Sequence, residues 1–141
     1  MFKKVIVPLD GSILAENTLP IVKKLATEGC IEEVILINVV EIPVLWSSES
    51  FDIFPLKNAQ FRRAQKYLAG IENQLNAEGI KVKAEILEGA AAKCIVEYAK
   101  NNVVDLIIIG THGYTGMKEL VFGSVALKVL HDSHVPVLLI K

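Results

Sequence analysis

The chain has 141 residues, and its 15 Lys and Arg nearly balance its 16 Asp and Glu, for a net charge of −1. This length predicts one domain spanning residues 1–141, with room for a sizeable core. Nucleic-acid-binding proteins present a basic stripe; the sequence has none, so no nucleic-acid partner is expected. Its apolar runs are too short for a membrane-spanning helix, so no membrane partner is expected either.

Hydrophobic residues make up 52% of the chain and aromatic residues only 6%. The excess is aliphatic, which is typical of strands covered by helices on both faces. Cys30 and Cys94 lie far apart without metal-ligand spacing, which predicts reduced thiols in a cytoplasmic protein. The first residues resemble a signal peptide, but Pro8 and Asp10 interrupt the apolar stretch too early, so no leader is expected.

Taken in chain order, short apolar runs alternate with amphipathic stretches, which is typical of successive βαβ units. The predicted strands are β1 (4–9), β2 (33–40), β3 (81–87), β4 (103–109) and β5 (135–140), and the predicted helices span 13–28, 57–77, 91–101 and 124–131. Ser12 or Asp10 is expected near the N-cap of the first helix. Pro20 lies inside that helix, where it should bend the axis or mark a local break.

The stretch 41–56 has neither helical nor strand periodicity, and it predicts a long loop with a short helical turn as an option. Its aromatic residues Trp46, Phe51 and Phe54 leave two interpretations open. They form a lid or partner surface, or they fold back over the edge of the sheet.

The order of the strands follows from their apolar patterns. β1, β2 and β4 are apolar on both faces and belong inside, whereas β3 alternates and belongs at an edge. With right-handed crossovers, this predicts an α/β fold whose five-stranded parallel sheet has the order 3-2-1-4-5, with helices on both faces. The reversal between β1 and β4 brings Pro8, Leu9 and Asp10 beside the loop that follows β4.

That loop carries the strongest functional signal in the chain. It contains Gly110, Gly113 and Gly116, and Gly123 stands just before the last predicted helix. Glycine lets the backbone approach a ligand closely, and a helix N-terminus offers unpaired N–H groups with a partial positive charge. Together these features predict a phosphate cradle at the carboxyl end of the sheet, and therefore a nucleotide-binding protein.

Two motifs extend this interpretation. Pro8-Leu9-Asp10-Gly11-Ser12 leaves the central strand, and Gly110-x-x-Gly113 is followed after nine residues by Gly123-Ser124. Both resemble the signatures of the universal stress protein family, specifically its nucleotide-binding branch, and the resemblance covers the full length of the chain. It implies a Rossmann-like fold of the adenine nucleotide alpha hydrolase type.

The resemblance also implies an ATP site above β1 and β4, with Mg²⁺ or Mn²⁺ bridging the phosphates as an option. The end of β1 and part of β2 would line the adenine, the loop after β4 would contact the ribose and phosphates, and the start of the last helix would hold the triphosphate. The residues implied in nucleotide binding are Pro8, Leu9, Asp10, Val39, Ile109, Gly110, Thr111, His112, Gly113, Gly123, Ser124 and Val125. No residue is assigned a catalytic or metal-binding role.

Several residues keep two interpretations. Asp10 suits N-capping of the first helix as well as ligand contact. His112 suits a place in the ligand-lining loop better than a catalytic base, because the sequence shows no carboxylate to orient it. His131 and His134 straddle a helix end, which favours a helix-terminus role over a metal site. The helix that starts near Ala91 is expected to begin away from the nucleotide.

The expected function is that of an ATP-binding universal stress protein acting as a nucleotide-dependent switch or signalling module in the stress response. The Walker motif of P-loop ATPases is absent. Two alternatives stay open: a structural or interaction protein of the same fold that binds no nucleotide, and a slow ATPase or autophosphorylating enzyme. The apolar last strand, from Val135 to Ile140, predicts pairing with a second copy, and the resemblance likewise implies a homodimer. The downstream protein partner is unknown.

Overall fold

The computed structural model describes residues 1–42, 53–111 and 123–141. Its strands are β1 (Phe2–Pro8), β2 (Ile31–Val40), β3 (Val82–Glu88), β4 (Leu106–Gly110) and β5 (Val137–Ile140), and its helices are α1 (Ile13–Glu16), α2 (Leu19–Thr27), α3 (Phe54–Ala77), α4 (Ala91–Asn101) and α5 (Ser124–Asp132). The strands form one parallel sheet of order β3-β2-β1-β4-β5, which confirms the predicted topology. No helix within the described ranges is long and apolar enough to cross a membrane.

The central strand divides its side chains between two apolar cores. Val5 and Val7 of β1 pack in one core with Leu68 of α3. Ile6, on the opposite face, packs in the other core with Ile95 of α4. Helices therefore cover both faces of the sheet, as predicted, and burial of these aliphatic side chains supplies the main driving force for the fold.

The predicted first helix is in fact two helices, so the single helix over 13–28 was wrong and the local break is confirmed. α1 ends at Glu16 and α2 begins at Leu19. Pro20 has no N–H to donate to the carbonyl of Glu16, and its ring would clash with that carbonyl in a continuous helix. Thr18 stabilises the break, because its Oγ1 donates to the carbonyl of Ala15 at 2.7 Å.

β4 begins at Leu106 and not at residue 103 as predicted. Val103 has a φ of 52°, in the left-handed region, so the backbone turns there instead of extending. The carboxylate of Asp105 then accepts from the amides of Lys3 and Lys4 at 2.8 and 2.9 Å. The amide of Asp105 in turn donates to the carbonyl of Lys4 at 2.8 Å, so main-chain and side-chain bonds together join the beginning of β1 to the residue before β4.

Other boundaries differ by a few residues. α3 begins three residues earlier than predicted, at Phe54, with a proline in its first turn. Phe54 is exposed on that helix, while Trp46 and Phe51 lie outside the described residues. β5 begins at Val137, because the hydroxyl of Ser133 bonds both the amide and the carbonyl of Val135 and holds it outside the strand.

Candidate functional site

A cavity of about 290 Å³ opens at the carboxyl end of the sheet, beside the neighbouring strands β1 and β4, where the strand order reverses. Ten of the twelve residues singled out in the sequence line it: Pro8, Leu9, Asp10, Val39, Ile109, Gly110, Thr111, Gly123, Ser124 and Val125. The other two, His112 and Gly113, lie outside the described residues. The structure therefore brings the described part of the predicted set into one concave site.

Five further residues line the cavity: Ala15, Ile37, Ala91, Ile95 and Ala126. Ala91 and Ile95 are four residues apart on α4 and so lie on one face of that helix. The expectation that this helix starts away from the site was wrong. Every strand of a parallel sheet ends at the same edge, so the helix that follows β3 also begins there.

The cavity has walls of two chemical kinds. Ile37 and Val39 of β2, with Ala91 and Ile95 of α4, supply aliphatic surface. The other wall is the first turn of α5, which begins at Ser124. Such a pairing of apolar surface with a few directed polar groups is typical of small-molecule sites.

The first turn of α5 offers main-chain donors. Its first intrahelical bond runs from the amide of Leu127 to the carbonyl of Gly123, so the amides of Ser124, Val125 and Ala126 have no partner within the helix. The N-cap residue is a glycine, without a side chain that could cap them. These amides and the positive end of the helix dipole suit an anion.

Gly123 itself contributes differently from its neighbours. Its amide donates to the carbonyl of Thr111, and the amide of Thr111 donates to the carbonyl of Ile140 at 3.0 Å. These bonds tie the start of α5 to the ends of β4 and β5. The amide of Gly123 is thus already bonded, and the donors that face a ligand come from the residues after it.

The exit of β1 is held by β2. The amide of Leu9 donates to the carbonyl of Ile37 at 2.8 Å, and the carbonyl of Leu9 accepts from Nδ2 of Asn38 at 2.8 Å. Leu9 therefore offers its apolar surface to the cavity, because its main-chain groups are already bonded. Asn38 was missed in the sequence, although it is the one amide side chain within the apolar run of β2.

Asp10 and Ser12 form the turn that enters α1. The Oγ of Ser12 accepts from the amide of Ala15 at 3.1 Å, so Ser12 is the N-cap. The Oδ1 of Asp10 accepts from the amide of Ser12 at 2.9 Å, which closes an Asx turn. Between them Gly11 has a φ of 90°, a conformation that glycine adopts without steric cost. This turn places the Asp10 carboxylate at the cavity wall.

Gly110 has a steric role at the end of β4. A Cβ at this position would lie 2.9 Å from the carbonyl oxygen of Leu14 and 3.4 Å from the Cα of Ala15. Both neighbours are backbone atoms of α1, which therefore packs directly on the strand end. The absence of a side chain at Gly110 allows this contact and keeps Ala15 at the cavity wall.

α1 is also held from the side of α3. The hydroxyl of Tyr67 donates to Oε2 of Glu16 at 3.0 Å. Burial, followed by this hydrogen bond and the charge of Glu16, raises the pKa of Tyr67 well above its usual value, so the phenol stays neutral.

At the end of α5, Nδ1 of His131 lies 2.7 Å from Oδ1 of Asp132. Within the described ranges, no three or more His, Cys, Asp or Glu side chains gather as a metal site.

Comparison with known proteins identifies the family of the chain. The model of the universal stress protein family matches residues 1–141. Universal stress protein MJ0577 of Methanocaldococcus jannaschii is 34% identical over 156 residues, which cover 100% of this chain and 96% of the relative. Universal stress protein YxiE of Bacillus subtilis is 30% identical over 148 residues, the full length of both chains.

Solved structures agree with this result. The MJ0577 structure has a TM-score of 0.88 at 39% identity, covering 100% of this chain and 96% of the other. A universal stress protein family member from Arabidopsis thaliana, solved with AMP bound, shares the fold with a TM-score of 0.72 at 17% identity, covering 99% and 91%. The chain therefore belongs to the universal stress protein family.

Proposed function

We propose that the chain binds ATP and acts as a nucleotide-dependent switch or signalling module in the stress response. The observation that carries this proposal is the cavity at the exits of β1 and β4, where an aliphatic wall meets first-turn amides of α5 that have no partner within the helix. The aliphatic wall suits the faces of a purine base, and the amides suit phosphate oxygens. The AMP bound to the Arabidopsis protein of the same fold supports this class of ligand.

The amide donors supply about half or more of the free energy that micromolar binding requires. A micromolar dissociation constant corresponds to about 8.2 kcal/mol. A hydrogen bond to a charged group contributes about 1.5–3 kcal/mol, so the amides of Ser124, Val125 and Ala126 supply about 4.5 kcal/mol at the lower value. At that lower value the base supplies the remainder through contact with the apolar wall. A bridging Mg²⁺ or Mn²⁺ would be held by the phosphates, with the Asp10 carboxylate as the acidic group at the cavity wall.

The proposal includes a homodimer formed through β5. Within the described part of the chain, β5 pairs with β4 on one side only. Exposed apolar side chains lie on this strand and on the helix that precedes it in the chain: Leu138 on β5, and Leu127 and Leu130 on α5. An exposed apolar edge favours pairing with a second copy about a two-fold axis. A strictly monomeric mass in light scattering at micromolar concentration would contradict this part.

One folding unit over residues 1–141 and a cytoplasmic location complete the proposal. Both cysteines are unpaired in the structure, which suits a reducing compartment. A secreted protein with these two thiols would be at risk of oxidation. Fractionation of the cells that produce the chain tests the location directly, and limited proteolysis tests the single unit.

Thermal unfolding with and without MgATP tests the binding. A ligand at a hundredfold its dissociation constant adds about 2.7 kcal/mol, and for a chain of this size each kcal/mol raises Tm by about 2–4 °C. We therefore expect Tm to rise by about 5–10 °C. No rise with ATP, ADP or AMP would favour the interaction protein that binds no nucleotide, whereas steady release of phosphate would identify the slow ATPase.

A single substitution isolates the amide donors. Ser124→Pro removes one N–H but keeps the helix start, because proline is favoured at the first helical position and Gly123 already has the extended φ of −60° and ψ of 152° that precedes proline. We expect ATP affinity to fall about tenfold, the loss of one charge-assisted hydrogen bond. Ser124→Ala, which removes only the hydroxyl, is the matched control. Equal affinities for Ser124→Pro and the unmodified chain would contradict the assignment.

A further inference from the structure

A long-range hydrogen bond joins two walls of the cavity. Oε1 of Glu41 accepts from the amide of Ala91 at 2.9 Å, although the two residues are 50 positions apart. Glu41 directly follows β2, and Ala91 is the first residue of α4. The N-cap residue, Ala90, has no side chain that could cap this helix. Glu41 therefore satisfies a first-turn donor and places a negative charge at the positive end of α4.

The turn that receives this bond is also joined to β2 through the main chain. Gly89 has a φ of 139°, and a Cβ there would lie 2.9 Å from Sγ of Cys94. The amide of Gly89 donates to the carbonyl of Val40 at 3.1 Å, and Sγ of Cys94 contacts the carbonyl of Glu88 at 3.4 Å. The β3–α4 turn is thus attached to the end of β2 at two adjacent points, one through the main chain and one through Glu41.

This attachment lies beside the apolar wall. Val39 lies two residues before Glu41 and lines the cavity from β2, while Ala91 lines it from α4. The distance between these two side chains depends on how closely the first turn of α4 is held to β2. We propose that Glu41 is a positioning residue for the base end of the cavity, where it fixes the width of the space that receives the base. This assignment rests on the proposed nucleotide binding.

Two variants remove the hydrogen bond from opposite sides. Glu41→Ala removes the acceptor. Ala91→Pro removes the donor and keeps the helix start, because Ala90 has the extended φ of −74° and ψ of 127° required before proline, and proline is favoured at the first helical position; its ring also adds atoms at a residue that lines the cavity. Glu41→Gln keeps an acceptor oxygen and is the conservative rescue.

Calorimetry with two probes separates positioning from general damage. AMP would contact both the apolar wall that receives the base and the first-turn amides of α5, whereas inorganic tripolyphosphate would contact only those amides. We expect Glu41→Ala and Ala91→Pro each to weaken AMP binding about fivefold, the ratio that corresponds to one ordinary hydrogen bond. The double variant should lose no more than either single one, Glu41→Gln should stay within about twofold, and tripolyphosphate binding should not change.

The outcomes distinguish the two levels of the proposal. If AMP binds the unmodified chain and Glu41→Ala alike, the assignment of Glu41 fails and nucleotide binding stands. An equal loss of AMP and tripolyphosphate affinity would also overturn the assignment, since it would show a general loss of structure. If the unmodified chain binds neither AMP nor ATP, the proposed function fails and the assignment fails with it.

Discussion

Replacement of Gly110 by alanine tests how closely α1 and β4 are packed beside the cavity. The added Cβ would meet the carbonyl oxygen of Leu14 at 2.9 Å and the Cα of Ala15 at 3.4 Å. Both are backbone atoms, so neither can rotate away as a flexible side chain would. α1 must therefore shift off the end of the strand, and Ala15, which lines the cavity, must shift with it.

The chain provides a matched control for this substitution. Gly70 lies within α3, and a Cβ there meets nothing within 4 Å. Overpacking costs about 1–3 kcal/mol, whereas alanine in place of a helical glycine stabilises by about 0.5–1 kcal/mol. The same chemical change should thus have opposite signs at the two positions. Their free energies of unfolding should differ by about 1.5–4 kcal/mol, which corresponds to about 3–16 °C in Tm.

Urea unfolding followed by circular dichroism, with thermal unfolding in parallel, measures both variants. We expect Gly110→Ala to unfold at lower urea concentration than the unmodified chain and Gly70→Ala at higher. ATP affinity should fall in Gly110→Ala and stay unchanged in Gly70→Ala. If Gly110→Ala were as stable as the unmodified chain, the contact between α1 and β4 would be looser than the distances indicate, and the steric account of Gly110 would be refuted.

Three further predictions concern stability. Val103 has a φ of 52° and is 82% exposed; Val103→Asn should raise the free energy of unfolding by about 1 kcal/mol, because asparagine tolerates the left-handed region, and an unchanged urea midpoint would contradict this. Burial opposes ionisation of Glu33, but the hydrogen bond and charge of Lys81 and the charge of Lys83 outweigh it and lower its pKa below the ordinary 4.5. This stabilisation is present above pH 4.5 and is lost as the pH falls. At pH 7 the free energy of unfolding of the unmodified chain should exceed that of Glu33→Gln by about 1 kcal/mol, and this difference should shrink by pH 3 in urea titrations. The raised pKa of Tyr67 keeps its phenol neutral in the fold, so stability should fall above about pH 10, where the unfolded phenol ionises; Tyr67→Phe should reduce this alkaline loss, and equal slopes in the two proteins would contradict it.

The strand order could be predicted because burial is written into the sequence of each strand. β3 alternates, with Val82 buried and Lys83 exposed, and it lies at an edge of the sheet. β4 is buried along its whole length and lies inside. A two-residue period is a local property, so it can be read without knowledge of the partner strands. The glycine spacing after β4 is local in the same sense.

Boundaries set by distant residues could not be predicted in this way. Asp105, the residue before β4, bonds amides at Lys3 and Lys4 more than 100 positions away through its carboxylate. No window around residue 103 contains that information. The break between α1 and α2 was foreseen as one of two options, because Pro20 is a local signal, but its outcome depends on the backbone before it. A related reason explains why three residues were missed. Each contacts a part of the chain that is distant in sequence: Ile95, Asn38 and Glu41.

The same distinction decides which amides remain for a ligand. A glycine-rich loop before a helix predicts donors in general, but pairing within the fold removes some of them. Gly123 donates to Thr111, and Leu9 donates to Ile37, so neither amide is free. The amides of Ser124, Val125 and Ala126 have no partner within α5, which is a property of every helix start. Ser124 is therefore a better test of the anion site than Gly123, whose amide already bonds the carbonyl of Thr111.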